Sequence, residues 1–192
     1  MMERGSGDLS CVLLQRKISP RCLDAAGPVR ANAKSGGAVM LDLNNLQNYR
    51  ENNRIEAKEA LGGLPESIWE TYSAFANADG GIILLGVKEM PDKSLRALDL
   101  LDPQWLIDDF LAILRDPARV SVNILTEDHI RVHEVDGGRI IAITVPRALP
   151  AQRPVYVGGD PWRGTYRRSG EGDYRCTREE VEAMRREARQ TP

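Results

Sequence analysis

The sequence predicts an α/β (α+β) fold: a single domain over residues 40–192, with a mixed, largely antiparallel sheet flanked by helices, preceded by a disordered leader over residues 1–39. Three observations carry this. Residues 82–87 (IILLGV) are a short, unbroken apolar run entered through Gly80-Gly81, the pattern of a strand buried on both faces. Residues 130–135 and 139–145 are β-rich and flank Asp136-Gly137-Gly138, a hairpin signal. Apolar side chains recur at helical spacing twice, as Ile68, Trp69, Tyr72, Phe75 and Ala76 after Pro65, and as Leu106, Ile107, Phe110, Ile113 and Leu114 after Asp102-Pro103.

The remaining elements follow in chain order. The leader holds Gly5-Ser6-Gly7, Ser35-Gly36-Gly37 and six Arg or Lys against three acids, with no sustained period. Met40 stands where order is expected to begin, which marks it as a candidate natural start. Leu41, Leu43 and Leu46 suggest a short helix or turn. In residues 53–59, Ile55 and Ala57 alternate with Arg54, Glu56 and Lys58, so Glu56 and Lys58 share the strand face turned away from the core. Residues 95–98 are expected to return antiparallel to 82–87, and 120–125 to form a further strand. Short strands are expected at 154–157 and 165–168, with a loop between them. Thr177-Arg-Glu-Glu180 is a capping box that opens a last helix with arginines on its outer face.

Composition narrows the chemistry. The 192-residue chain has a formal net charge of −2, so any nucleic acid would have to meet a local patch. Cys11, Cys22 and Cys176 have no CxxC spacing, and with only His129 and His133 there is no zinc set. No run approaches the roughly 20 apolar residues of a membrane span, and the start lacks a signal-peptide core. No membrane partner and a cytoplasmic location are therefore expected. Gly159 and Gly164 have phosphate-loop spacing, but Thr165-Tyr166 follows where Lys and Ser or Thr are required.

Two constellations remain. Glu51, Glu56 and Glu89 with Lys58 have the composition of a metal-dependent phosphodiesterase, in which clustered carboxylates hold divalent ions and a lysine faces the phosphate. Asp79 and Asp92 are alternative third carboxylates. Alternating Glu and Lys are equally what a solvated sheet edge carries. Residues 147–178 hold seven arginines and no lysine against Asp160, Glu171 and Asp173, interleaved with Tyr156, Trp162, Tyr166 and Tyr174. Guanidinium forks suit phosphates and aromatic faces suit unpaired bases. A surface ion-pair network with structural aromatics explains the same composition.

These residues resemble the Schlafen-type AlbA-like domain family over roughly residues 41–189. The marks are Glu51-x4-Glu56-x-Lys58, Ala74-Phe75-Ala76-Asn77 leading through Gly80-Gly81 into residues 82–87, Val145-Pro146, Pro154-Val-Tyr156 and Gly164-Thr-Tyr-Arg-Arg168. The resemblance implies a mixed sheet and nucleic-acid binding, DNA or RNA, as in transcriptional regulators. In eukaryotic relatives a similar Glu-x4-Glu-x-Lys with a later acid forms an RNA-cleaving site. Carried over, Glu51, Glu56 and Glu89 would hold Mg²⁺ or Mn²⁺, with Lys58 at the phosphate. Ala57 stands where the family usually has a larger apolar residue, Glu89 is longer than the usual Asp, and a single lobe would need a homodimer for catalysis.

Three readings result. The first is a nucleic-acid-binding regulator using Arg153, Arg163, Arg167, Arg168, Arg175 and Tyr166 and no cofactor. The second is a Mg²⁺- or Mn²⁺-dependent endoribonuclease acting on structured RNA, and the third a protein-interaction module. The first two require the acidic strand and the arginine-rich return to border one groove.

Overall fold

A computed structural model describes residues 29–30 and 40–191. The expectation of a leader over 1–39 falls outside these residues, apart from β1 (Val29–Arg30), which pairs antiparallel with β2 (Met40–Leu41). The central sheet has the order β3-β4-β8-β7, from β3 (Ile55–Lys58), β4 (Gly81–Leu85), β7 (Ile130–Val135) and β8 (Gly138–Val145). β3 and β4 are parallel, joined through α1 (Ser67–Asn77), and the other pairings are antiparallel. The sheet is thus mixed. Asp136 and Gly137 both have positive φ (50° and 78°), as a two-residue hairpin turn with the right twist demands.

Both faces of β4 are covered, which is why its sequence does not alternate. Ile83 and Leu85, with Ile141, Ile143 and Val145, pack on α1 and on α2 (Pro103–Leu114), where Trp69 stacks on Phe110 at 5.1 Å. Ile82 and Leu84, with Ile140 and Ala142, face Leu41, Leu43, Leu46, Val87 and Leu95. Each such side chain contributes roughly 1.5–3 kcal/mol by leaving water. A 3₁₀ turn, Leu43–Asn48, carries the leucines, in line with the expected helix or turn. Among the described residues no helix is long and apolar enough to cross a membrane.

Several expectations are corrected. The apolar run does not continue as one strand: Gly86, at φ 78° with Leu100 against its Cα, turns the chain out of the sheet. β5 (Val87–Glu89) then pairs with β6 (Leu95–Ala97) in a separate ribbon, so residues 95–98 do not pair with the sheet strand. Residues 120–125 make only a bridge from Val120 to Val157. Their backbone is satisfied elsewhere: Ser121 N donates to Tyr156 O, while Tyr72 Oη donates to Val122 O and accepts from Ile124 N. Residues 165–168 are half of a hairpin whose second strand was not foreseen, β9 (Tyr166–Ser169) with β10 (Gly172–Arg175). The loop before it contains α3 (Pro161–Gly164), and the capping box opens α4 (Arg178–Gln190).

The hairpin is fastened to α1 by polar side chains. Asn77 Nδ2 donates to Val155 O at 2.7 Å and Tyr166 O at 3.0 Å, and its Oδ1 accepts from Val155 N at 2.8 Å. Ser73 Oγ donates to Val155 O and accepts from Tyr166 N. Both side chains are buried, so their loss strands backbone groups away from water. Asn77→Ala is expected to lower unfolding free energy by about 2–4 kcal/mol. Urea denaturation checks this, and a loss below about 1 kcal/mol would mean that water replaces the amide.

Candidate functional site: an acidic strand edge and an arginine face

β3 is an outer strand of the sheet, and period-two alternation puts Glu56 and Lys58 on one face, as read from the sequence. That face is not open. Glu56 is only 7% exposed, because it lies on the α1 side of the sheet, in register with Ile83, and the β9–β10 ribbon closes over it. Lys58 Nζ is 2.6 Å from Glu56 Oε1, and Arg168 Nη2 is 2.8 Å from Oε2. Glu51 Oε1 accepts from Ala57 N at 2.9 Å, and Glu89 Oε2 from Lys93 Nζ at 2.9 Å.

The three carboxylates are neighbours. Partial burial pushes the Glu51 pKa up, opposed by the Ala57 N–H, and the charges of Glu56 and Glu89 raise it further. They nevertheless do not fit a divalent ion as the side chains stand. Among the described residues no three Asp, Glu, His or Cys form a set that could hold one. Glu56, the central ligand of the expected trio, has a cation on each oxygen. Glu89 Oε1 is buried without a hydrogen-bond partner, as is Glu56 Oε2 apart from its ion pair with Arg168, but two such oxygens are not the clustered donor set a hard cation needs. The structure thus holds Glu56 between Lys58 and Arg168, and tests neither the expected metal role of Glu51, Glu56 and Glu89 nor the phosphate-facing role of Lys58. Asp79 and Asp92 do not join them: Asp79 faces Arg147, and Asp92 accepts from Ser94 N and Oγ.

The arginine set divides in two. Arg168, with a side chain 1% exposed, donates from Nε and Nη2 to Asn52 O, from Nη2 to Ile55 O and from Nη1 to Asp173 Oδ1, and its guanidinium lies 5.1 Å from the centre of the Phe75 ring. Burial works against its charge, but Asp173 and Glu56 outweigh it and raise the pKa. Arg153 is also buried, with Nη2 3.0 Å from Glu187 Oε1, and Tyr166 donates its hydroxyl to Glu70. These three side chains are buried and engaged within the protein, so the structure does not offer them at the surface as expected.

Arg163, Arg167 and Arg175 remain at the surface. Arg163 has an 85% exposed side chain 3.7 Å from Asp160, and Arg167 pairs with Glu180 of α4 at 2.9 Å. Arg175 lies over the Tyr166 ring at 5.9 Å. Along β9, Tyr166 and Arg168 point inward while Arg167 points outward with its cross-strand partner Tyr174. Glu56 and Arg167 are therefore on opposite faces of the ribbon, and the single groove expected between them is not formed. In its place α4 presents Arg178, Arg185, Arg186 and Arg189 beside Trp162 of α3, residues the sequence reading placed only generally on an outer face.

Two outcomes are expected at the edge. Arg168→Ala leaves Glu56 with Lys58 as its one cation and Asp173 with only the Thr71 hydroxyl, and should cost about 3–5 kcal/mol in chemical denaturation, with little loss indicating that water fills the site. For Glu51 the folded pKa lies above the unfolded one, so the folded state binds the proton more tightly. Its penalty is absent below the unfolded pKa, appears as pH rises through the folded value and is complete above it. Glu51→Gln, which keeps the acceptor for Ala57 N, should raise the melting temperature relative to the native chain near about pH 7 and lose that gain near about pH 4. A gain independent of pH would contradict the assignment.

A family model described as "Schlafen, AlbA_2" matches residues 51–177, so α4 begins where the matched segment ends. Among solved structures, the chain resembles the N-terminal domain, determined by solution NMR, of a protein from Nitrosomonas europaea whose name relates it to the ATP-dependent DNA helicase RecG. That likeness has 33% identity and a TM-score of 0.52, and covers 70% of this chain and 90% of that one. The crystal structure of a Corynebacterium diphtheriae protein is 21% identical over 70% of this chain, with a TM-score of 0.48, and the chain spans 24% of that protein. No curated protein matches the chain. The family match, over about two thirds of the sequence and bracketed by the Glu51 and Thr177 elements described above, establishes that the chain belongs to the Schlafen, AlbA_2 family.

Proposed function

We propose that the chain is a nucleic-acid-binding module with a regulatory role, holding phosphates through arginines exposed on α3, on β9 and along α4. The observation that supports this most is the sorting of the arginines. Once the internal Arg153 and Arg168 are set aside, Arg163, Arg167, Arg178, Arg185, Arg186 and Arg189 remain on elements that touch one another. In a chain of net charge −2 this is where a polyanion would be met. The pairs Arg163–Asp160 and Arg167–Glu180 are exposed, so each is worth little and can be exchanged for a phosphate. Membership of the family and the relationship of the Nitrosomonas europaea relative to a DNA helicase agree with this reading. Guanidinium forks fit DNA and RNA phosphates alike. Cleavage is not part of the proposal, because as the side chains stand Glu56 is paired with Lys58 and Arg168.

Fluorescence anisotropy on labelled duplex DNA and structured RNA tests the reading. The logarithm of affinity should fall linearly with the logarithm of salt, with a slope of about −0.9 for each phosphate neutralised on duplex DNA. Arg163→Ala with Arg167→Ala should weaken binding to unrelated sequences alike and flatten that slope. Absence of binding at low salt would remove the proposal and leave a protein-interaction module as the reading to pursue.

A further inference from the structure

α4 carries an arrangement that the carboxylate edge and the ribbon do not use. Two of its guanidiniums lie over the ring of Trp162, Arg178 at 5.0 Å and Arg185 at 5.3 Å from the ring centre. Trp162, Glu182, Arg185, Arg186 and Arg189 line one groove. Positions 178, 182, 185 and 189 are spaced i, i+4, i+7 and i+11, which is one stripe of a helix. At 1.5 Å per residue the stripe is about 16 Å long.

Charge is divided along this helix. Glu179 and Glu180 occupy its first turn, and the acids that face arginines are already engaged: Glu180 by Arg167, Glu182 by Arg178 and Glu187 by the buried Arg153. Among the described residues no carboxylate lies within 4.0 Å of the guanidinium nitrogens of Arg185, Arg186 or Arg189. Among the described residues, Arg185, Arg186 and Arg189 in the C-terminal half of α4 are therefore cations without an ion-pair partner. Basic residues favour a helix C-terminus through the macrodipole, which explains their sign. It does not explain why an aromatic ring from another element holds two of the helix's arginines in place.

We propose that this groove anchors a polynucleotide backbone, with Trp162 as a positioning residue that pre-orders Arg178 and Arg185 for phosphate. The proposal rests on the nucleic-acid reading above and adds to it the groove that anchors the backbone and the ordering of its cations by Trp162. Ordering long side chains before binding lowers the entropic cost of the contact. Each duplex strand carries one phosphate per about 3.4 Å of helix axis, so a stripe of this length laid parallel to the axis spans about five phosphates of one strand. Glu182 is the one acid in the groove, and it opposes the incoming anion.

Anisotropy titrations of the full chain test this with four probes: duplex DNA, duplex RNA, a single strand, and the same strand with abasic positions. Arg185→Ala, Arg186→Ala and Arg189→Ala should each flatten the duplex-DNA salt slope by about 0.9, an affinity loss of about eightfold at 0.1 M salt relative to 1 M. Trp162→Ala should weaken binding to every probe, the abasic strand included, while Trp162→Phe keeps most of the affinity. Glu182→Gln should tighten binding, which a merely structural role would not produce. Thermal melts of each variant confirm folding. A Trp162→Ala loss confined to strands bearing bases overturns the proposal in favour of a stacking platform. Unchanged binding in the α4 variants, alongside weakened binding in the Arg163 and Arg167 variants, overturns it while the nucleic-acid reading stands. Failure of the native chain to bind any probe removes that reading and this proposal together.

Discussion

The guanidinium of Arg168 is the charge around which this domain closes. A buried cation without partners is among the most costly things a fold can contain. Here the partners come from different parts of the chain: Glu56 and the carbonyls of Asn52 and Ile55 from the edge strand and its approach, Asp173 from the neighbouring strand of the ribbon, and the face of Phe75 from α1. A two-stranded ribbon is marginal by itself. The β9–β10 ribbon persists because its inward charge is satisfied only when edge strand, helix and ribbon are all in place.

That requirement decides what the acidic strand can do. Glu56 is a counter-ion to Lys58 and Arg168, so its carboxylate is held by cations rather than offered to one. Burial raises the Glu51 pKa, and Glu56 and Glu89 stand close enough to Glu51 for their charges to raise it further. The same alternation of β9 that turns Arg168 inward turns Arg167 out toward α4. One arginine of the adjacent pair stabilises the interior, and its neighbour belongs to the surface.

α1 is the common support for both. Its apolar face packs on the sheet, while Thr71, Ser73 and Asn77, also buried, fasten the C-terminal segment: Thr71 to Asp173, Ser73 and Asn77 to the backbone at Val155 and Tyr166. The path that places the ribbon thereby also sets where α3 and α4 lie. Trp162 sits against α4 partly because Asp160 caps α3 through Trp162 N and partly because Arg178 and Arg185 cover its ring. The arginine face is thus built on a rigid base, although most of its cations are solvent-exposed.

By itself, the sequence determined the elements whose signals are local. The Asp136-Gly137 hairpin, the Asp102-Pro103 start of α2, the Thr177–Glu180 capping box and the buried character of β4 follow from turn chemistry, capping and periodicity, which act within a few residues. The family, too, was legible from the order of its motifs. What only the tertiary structure decided is the environment of each charged side chain. Arg167 and Arg168 are identical in composition and adjacent in sequence, and Glu56 reads the same as a metal ligand or as a buried counter-ion. Whether a charge faces water or a partner depends on strand alternation relative to a ribbon some hundred residues away, and no local pattern encodes that contact. The β9–β10 turn carries no such local signal, because Ser169-Gly170-Glu171-Gly172 is polar and short and the inward pair beside it is Arg168 and Asp173, which give no hydrophobic alternation to announce a strand.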